Sequence, residues 1–218
     1  MPELPSQGQE QEKPKERTKE SEITTNIELW QTLGEKIDLA DIQREIDALP
    51  EIEGYNFYLY IPKGAKLDRI WEKFAKTNPV KREPLYDLSS WHLKMSRDTR
   101  NSYAVAAHYQ QEPDDDSLGD NARSSLDWEK TDEQYMTPLE VIIAEMRWHK
   151  ENGPHLNEKN ITICPRSRMS GTVPCLDCNR DNGKVAIFPI SLDATTKSMG
   201  VRKVITKNTK IESEAAEK

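Results

Sequence analysis

Cysteine and long apolar runs are scarce in this 218-residue chain, and each scarcity argues against a class of protein. Three cysteines are too few for the disulfide framework of a small secreted domain. No run approaches the roughly 18 consecutive apolar residues that span a membrane. Residues 1–22 contain no apolar segment of the kind found in secretory signals. We therefore expect a cytoplasmic protein that does not engage a membrane.

Sequence motifs of several common enzyme classes are also missing. The chain has no HExxH, P-loop, GxGxxG or nucleophile-elbow motif. The acidic stretch that begins at Asp114 matches an EF-hand loop only in part, because Ser125 stands where calcium needs a bidentate Glu. The sequence therefore identifies no catalytic residue and favours a protein that is not an enzyme.

Negative charge exceeds positive charge overall, but a net positive charge is concentrated near the end of the chain. The formal net charge of −7 argues against general affinity for nucleic acid or anionic membranes. Between Lys159 and Lys210, however, ten Lys and Arg accompany only three Asp, which gives this segment a net charge of +7. A segment of this charge could form a binding surface for an acidic ligand or a partner protein. The predicted contact residues are Arg166, Arg168, Arg180, Lys184, Arg202 and Lys203.

Two other interpretations of the basic segment remain open. It could pack beside the acidic part of the same molecule and bind nothing. It could also bind nucleic acid, although Phe188 is the single aromatic residue in the segment, which leaves little surface for base stacking. We favour a binding or interaction module whose contact surface is this basic segment.

The three cysteines lie close together in the basic segment and suggest an alternative function. Cys175 and Cys178 form a CxxC pair, and Cys164 precedes them. Zinc sites usually have four Cys or His ligands, so the fourth ligand would come from His155, with His149 or Asp177 as substitutes. The CxxC motif occurs once rather than twice, and free cysteine is also common in protein cores. A zinc-binding or thiol-dependent protein is therefore the alternative prediction, and no other cofactor is expected.

Composition predicts one domain between two polar tails. Residues 1–24 are rich in Glu, Lys, Gln, Ser and Pro, and they lack the apolar surface needed to offset the entropy of ordering. We predict a disordered tail over residues 1–24, a single domain over residues 25–206 and a flexible tail over residues 207–218.

Apolar periodicity predicts a mixed α+β fold. Helical spacing predicts a helix from Leu39 to Leu49 capped by Asp38, after an earlier helical turn over residues 27–33. It also predicts a helix with an apolar stripe over residues 67–74 that ends before Asn78, and a helix that begins at Thr137. Alternation predicts strands over residues 55–61 and 103–109, and short strands over residues 160–164, 185–190 and 201–205. We expect a small domain with a largely antiparallel sheet, packed by two or three helices, and a β-rich C-terminal part.

Two stretches of sequence carry a resemblance. The first runs from Leu139 through His149 to Pro174 and includes Asn160-Ile-Thr-Ile-Cys164. The second is Ile61-Pro-Lys-Gly-Ala-Lys-Leu-Asp68 with Trp71 and the strand at Tyr103. Over roughly residues 55–205 the chain resembles a loosely known group of uncharacterised bacterial proteins. The resemblance implies no activity, cofactor or partner, and it does not include Cys175 and Cys178.

Overall fold

Helices and strands follow one another along the chain in a mixed order. The computed structural model describes residues 17–77, 88, 93–179 and 183–209. In these ranges the helices are α1 Lys19–Thr32, α2 Leu39–Asp47, α3 Leu67–Thr77, α4 Ser125–Glu129 and α5 Pro138–Asn152. The strands are β1 Phe57–Ile61, β2 Tyr103–Ala107, β3 Ile161–Ile163, β4 Thr172–Asn179, β5 Lys184–Ser191, β6 Met199–Gly200 and β7 Val204–Ile205. The predicted α+β class is confirmed.

The strands form two sheets within the described residues. The first has the order β1-β2-β7 and is antiparallel throughout. The second has the order β5-β4-β3-β6 and is antiparallel except for the β3–β6 pair. The prediction of a largely antiparallel arrangement is therefore confirmed, although the strands divide between two sheets.

Helix α5 lies at the centre of the core, between the two sheets. It contacts α3, β1 and β4, and residues 138–147 are all buried. The helix begins as its sequence predicts: Thr137 and Glu140 form a reciprocal capping box, and Pro138 occupies the first turn. None of the described helices combines the length and the apolar character needed to cross a bilayer.

Helix α1 corrects the predicted boundary of the N-terminal tail. Composition predicts disorder up to residue 24, whereas α1 begins at Lys19 with Thr18 as its N-cap. The helix forms there because Glu22, Ile23 and Asn26 are buried against the rest of the domain, so polar residues supply contacts that composition alone does not reveal. Residues 1–16 and 210–218 lie outside the described residues.

Strand β4 places the CxxC pair in a regular strand, which the sequence pattern does not predict. It runs over Thr172–Asn179 and pairs along its whole length with β5. Prolines argue against a central strand because they lack an N–H group. Here Pro174 and Pro189 lie opposite each other in the β4–β5 register, and the Pro174 carbonyl accepts a hydrogen bond from the Cys164 N–H of the neighbouring chain segment.

Candidate functional site

The three cysteines are buried, and the strand geometry separates the CxxC pair. Side chains alternate along a strand, so residues three apart point to opposite faces of the sheet. Cys175 packs in a small cluster with Ile163 and Met199, whereas Cys178 packs in the main core. A zinc site would instead require both thiols to point to one metal ion.

The chemistry of the thiols follows from their burial. Burial raises the pKa of Cys164 and of Cys175 far above the ordinary value, and it raises the pKa of Cys178 to about 12. The Cys175 thiol donates to the carbonyl of Phe188 over 3.1 Å. At neutral pH these thiols are therefore protonated, which suppresses their reactivity as nucleophiles.

The predicted fourth zinc ligand, His155, has a different partner. Its Nδ1 atom lies 2.5 Å from Oε1 of the buried Glu145, and its ring stacks on His149 with a centroid distance of 4.2 Å. Among the residues that the structure describes, no group of three or more His, Cys, Asp or Glu side chains is arranged to hold a metal ion. The structure thus does not bring Cys164, Cys175, Cys178 and His155 together around one point.

The predicted basic surface is also rearranged by the fold. Arg202 is buried, with 4% of its surface exposed, which corrects its assignment as a contact residue. The Arg166 side chain donates to the Thr131 carbonyl, and Arg168 binds the Pro165 carbonyl and Glu129. Lys184 begins β5 and is half-buried, and Arg180 lies outside the described residues. Arg168 thus behaves as expected if the basic segment packs against acidic parts of the same chain.

Lys203 is the predicted contact residue that lies at a cavity. A groove of about 1190 Å³ opens where strand β2 begins and strand β7 ends. Its walls come from residues 97–98, 100–104, 132–134 and 203–209, together with Tyr55. The groove is thus built from four chain segments that are distant in sequence.

The groove exists because β7 is short. Val204 and Ile205 pair with Ala107 and Ala106 of β2, and the chain then leaves the sheet. The departure is a turn in which the Thr209 N–H donates to the Thr206 carbonyl and the Thr206 N–H donates to Oγ1 of Thr209.

As a result, no strand of the described residues lies beside the first half of β2 on the β7 side. Within the described chain, Tyr103 and Ala104 pair only with β1, and both line the groove. Backbone N–H and C=O groups along an unpaired strand edge can pair with an added strand. The groove therefore contains a segment of sheet edge that can accept a short extended chain.

Charged side chains of both signs line the groove. Arg97 is fixed by a bidentate contact with Glu140, at 2.8 and 2.5 Å, and by the Tyr135 carbonyl at 2.6 Å. Lys203 lies between Asp116 and Glu133, 2.6 and 2.7 Å away. Arg97 and Lys203 are therefore held in place by their partners. Burial of Lys203 lowers its pKa, but Asp116 and Glu133 outweigh this effect, so that the pKa of Lys203 is raised.

Two further cations of the groove are more accessible. The side chain of Arg100 is 87% exposed and pairs with Asp98, which is itself half-exposed. The side chain of Lys207 is 53% exposed and lies 3.3 Å from Glu45. Because exposed ion pairs contribute little energy, Arg100 can exchange Asp98 for a carboxylate of a ligand. If Lys207 turns toward a ligand, the buried Glu45 carboxylate keeps Arg44 as its partner at 3.1 Å.

Sequence reasoning missed most of the groove. Arg97, Arg100 and residues 132–134 belong to no motif, and nothing in their spacing links them to β7. A local signal exists at one point: the apolar run that ends at Ile205 is followed by polar Thr206, Lys207 and Asn208, which marks the end of the strand.

Comparisons with known proteins do not indicate a function for this chain. No protein-family model, curated protein or solved structure matches this chain.

Proposed function

We propose that this protein is a cytoplasmic binding module that takes a short extended segment of a partner protein in the groove between β2 and β7. The observation that carries the proposal is the interrupted pairing of β2: Ala106 and Ala107 have β7 beside them, whereas Tyr103 and Ala104 have the groove. A ligand strand would continue the sheet where β7 leaves it, so backbone hydrogen bonds would supply affinity for many sequences.

Acidic residues in the ligand would supply specificity. Arg100 and Lys207 stand on the groove walls with exposed charges, so a carboxylate of the ligand can approach either one. Arg gives the stronger geometric selection because its guanidinium can bind a carboxylate through two hydrogen bonds. This proposal retains the acidic partner predicted from the basic segment, but it moves the contact from Arg166 and Arg168 to Arg100 and Lys207.

A groove-blocking variant tests the proposal. Random peptides displayed on phage would be selected on the wild-type protein, and the enriched peptides would be synthesised for affinity measurements. Asn101→Trp places a large ring at an exposed position of the groove wall. We expect it to weaken peptide binding by at least about tenfold, which corresponds to about 1.4 kcal/mol.

Asn121→Trp is the matched control, because Asn121 is also an exposed asparagine but does not line the groove. It should leave peptide affinity unchanged. Arg100→Ala should in addition reduce the preference for acidic peptides, since Lys207 remains. Equal affinities for wild type, Asn101→Trp and Asn121→Trp would show that the groove is not the binding site, and a selection that enriches no peptide would refute the proposed function.

A further inference from the structure

Four charged side chains form a closed ring at one end of α5, away from the groove. Glu22 of α1 contacts both Arg147 of α5 and Arg17, which precedes α1. Glu151 of α5 contacts the same two arginines. The Arg147–Glu22 and Arg147–Glu151 distances are 2.9 and 3.2 Å. Cations and carboxylates therefore alternate around the ring, and its four charges balance.

Aromatic side chains pack against Arg17 beside these four charged groups. The guanidinium carbon of Arg17 lies 3.4 Å from the ring centroid of Tyr109 and 5.5 Å from that of Phe57. Tyr109 packs in turn against Trp148, with a centroid distance of 4.7 Å. The Tyr109 hydroxyl donates to Glu151 over 3.1 Å, which orients the aromatic ring and the carboxylate relative to each other. The guanidinium of Arg17 is thus both stacked and hydrogen-bonded.

The two arginines of the ring are held in different ways. Arg147 belongs to α5, its side chain is 1% exposed, and it also donates to the Tyr58 carbonyl over 2.5 Å. Arg17 lies one residue before the N-cap Thr18, outside the helix, and its side chain is 15% exposed. Arg147 is therefore part of the core, whereas Arg17 is the outer cation, and the chain that carries it can move without unfolding a helix.

Withdrawal of Arg17 would leave a site of defined chemistry. Glu22 and Glu151 would keep one arginine between them and carry a net charge of −1, beside the exposed face of Tyr109. Two carboxylates side by side match the planar fork of a guanidinium, which donates from two nitrogens at once and stacks on an aromatic ring. An ammonium ion is a compact charge and cannot make both contacts in this geometry.

We propose that Glu22, Glu151 and Tyr109 form a guanidinium-binding site that Arg17 occupies from within the chain, and that an arginine side chain of another polypeptide can take its place. The residues of this site do not line the groove, so the inference is independent of the proposed function. Arg17 then acts as a built-in competitor. Its effective concentration, of the order of millimolar for a short flexible tether, sets the concentration that an incoming arginine of equal intrinsic affinity must exceed.

Chemical rescue tests the site. Arg17→Ala removes the occupant and should lower the midpoint of thermal unfolding. Methylguanidinium at millimolar concentration and constant ionic strength should restore the midpoint in a saturable way, because it binds the folded state. Methylammonium, which has the same charge, should not. In Arg17→Ala/Glu151→Gln the rescue by methylguanidinium should disappear, since one of the two carboxylates is gone.

Competition tests replacement from another chain. N-acetylarginine amide should bind Arg17→Ala at least about tenfold more tightly than the wild type, because Arg17 no longer competes. Arg17→Lys provides a second variant that retains the charge: a lysine cannot span both carboxylates, so the arginine amide should bind this variant more tightly than the wild type as well. Titration followed by nuclear magnetic resonance, with the indole of Trp148 as the reporter, measures both affinities.

Three results would overturn the proposal. The first is an equal response of Arg17→Ala to methylguanidinium and methylammonium, which would indicate simple charge screening. The second is a rescue that persists in the Glu151→Gln double variant. The third is the absence of arginine amide binding to both Arg17→Ala and Arg17→Lys, which would leave Arg17 with a structural role alone.

Discussion

At the residue scale, His155 and Glu145 show how a buried carboxylate determines the state of its neighbour. Oε1 of Glu145 lies 2.5 Å from the His155 ring, and Oε2 accepts from the Leu156 N–H at 2.7 Å. The hydrogen bond to Glu145 raises the pKa of His155, and the negative charges of Glu145 and Glu158 act in the same direction. The protonated histidine is thus stabilised by folding, although burial opposes its charge.

The pH dependence of stability follows from this raised pKa. A group whose pKa is higher in the folded state contributes stability that is complete below its unfolded pKa, about 6.5 for histidine. That contribution is lost as the pH rises through the raised folded pKa. We expect His155→Gln to lower the free energy of unfolding most at acidic pH, and less as the pH rises past neutrality. Urea unfolding of both proteins over a pH series measures the difference, and a difference that does not change with pH would contradict the assignment.

At the scale of elements, helix α1 protects the open edge of strand β1. Three side chains of α1 that can form hydrogen bonds, spaced four residues apart, face this edge. Glu22 accepts from the Tyr58 N–H at 3.0 Å, and Trp30 donates to the Tyr60 carbonyl at 2.9 Å. Between them, Asn26 donates to the Tyr58 carbonyl and accepts from the Tyr60 N–H, both at 2.9 Å. The helix thus replaces the hydrogen bonds of a neighbouring strand, which prevents pairing of this edge with another chain.

Asn26→Ala should reveal this role. The substitution leaves the buried Tyr60 N–H without its partner, at a cost of roughly 1–3 kcal/mol, whereas the Tyr58 carbonyl keeps its hydrogen bond from Arg147. We expect the free energy of unfolding to fall accordingly, with some self-association at high protein concentration as the edge becomes available. Chemical denaturation and sedimentation would measure the two effects.

Thr24→Ala is the control on the same helix, since Thr24 is exposed and bonds only to the Glu20 carbonyl. It should change stability by less than about 0.5 kcal/mol. If Asn26→Ala is no more destabilising than Thr24→Ala, the backbone of β1 does not depend on α1.

At the scale of the whole molecule, Arg202 joins segments from both sheets. Its guanidinium donates to the carbonyls of Gln110 and Gln111, which follow β2, at 3.0 and 2.6 Å. It also donates to Asn157 at 2.9 Å and to Thr162 of β3 at 3.3 Å. Burial lowers the pKa of Arg202 to about 10, because neutral oxygens replace the water around its charge.

Arg202→Met should therefore destabilise the assembly of the two sheets. The variant retains much of the side-chain volume but loses hydrogen bonds to a charged group, each of which contributes roughly 1.5–3 kcal/mol. We expect a loss of at least about 3 kcal/mol in the free energy of unfolding, measured by chemical denaturation. Lys197→Met is the control, because the Lys197 side chain is 80% exposed and pairs with an exposed Asp120. Similar losses for the two variants would show that the buried contacts of Arg202 contribute nothing.

Local sequence signals determined the secondary structure where one pattern dominated. The alternation over residues 55–61 predicts β1, and the helical spacing after Asp38 and Thr137 predicts α2 and α5, because burial of one face imposes a period on the chain. The same signals predicted only the last part of α1, as a helical turn around residues 27–33, and they failed for the first part of α1 and for β4. Glu22 and Asn26 have the character of solvent-facing residues, and Pro174 disfavours a strand, so their roles depend on partners far along the chain.

The amino-acid sequence by itself determined the α+β class, the positions of β1, α2 and α5, and the concentration of basic residues near the end of the chain. Tertiary structure alone decided what those residues do. It placed Cys175 and Cys178 on opposite faces of a strand, buried Arg202, and left Tyr103 and Ala104 beside an open groove. The physical reason is that periodicity reports which side of an element is buried, whereas a site depends on which distant segments meet there.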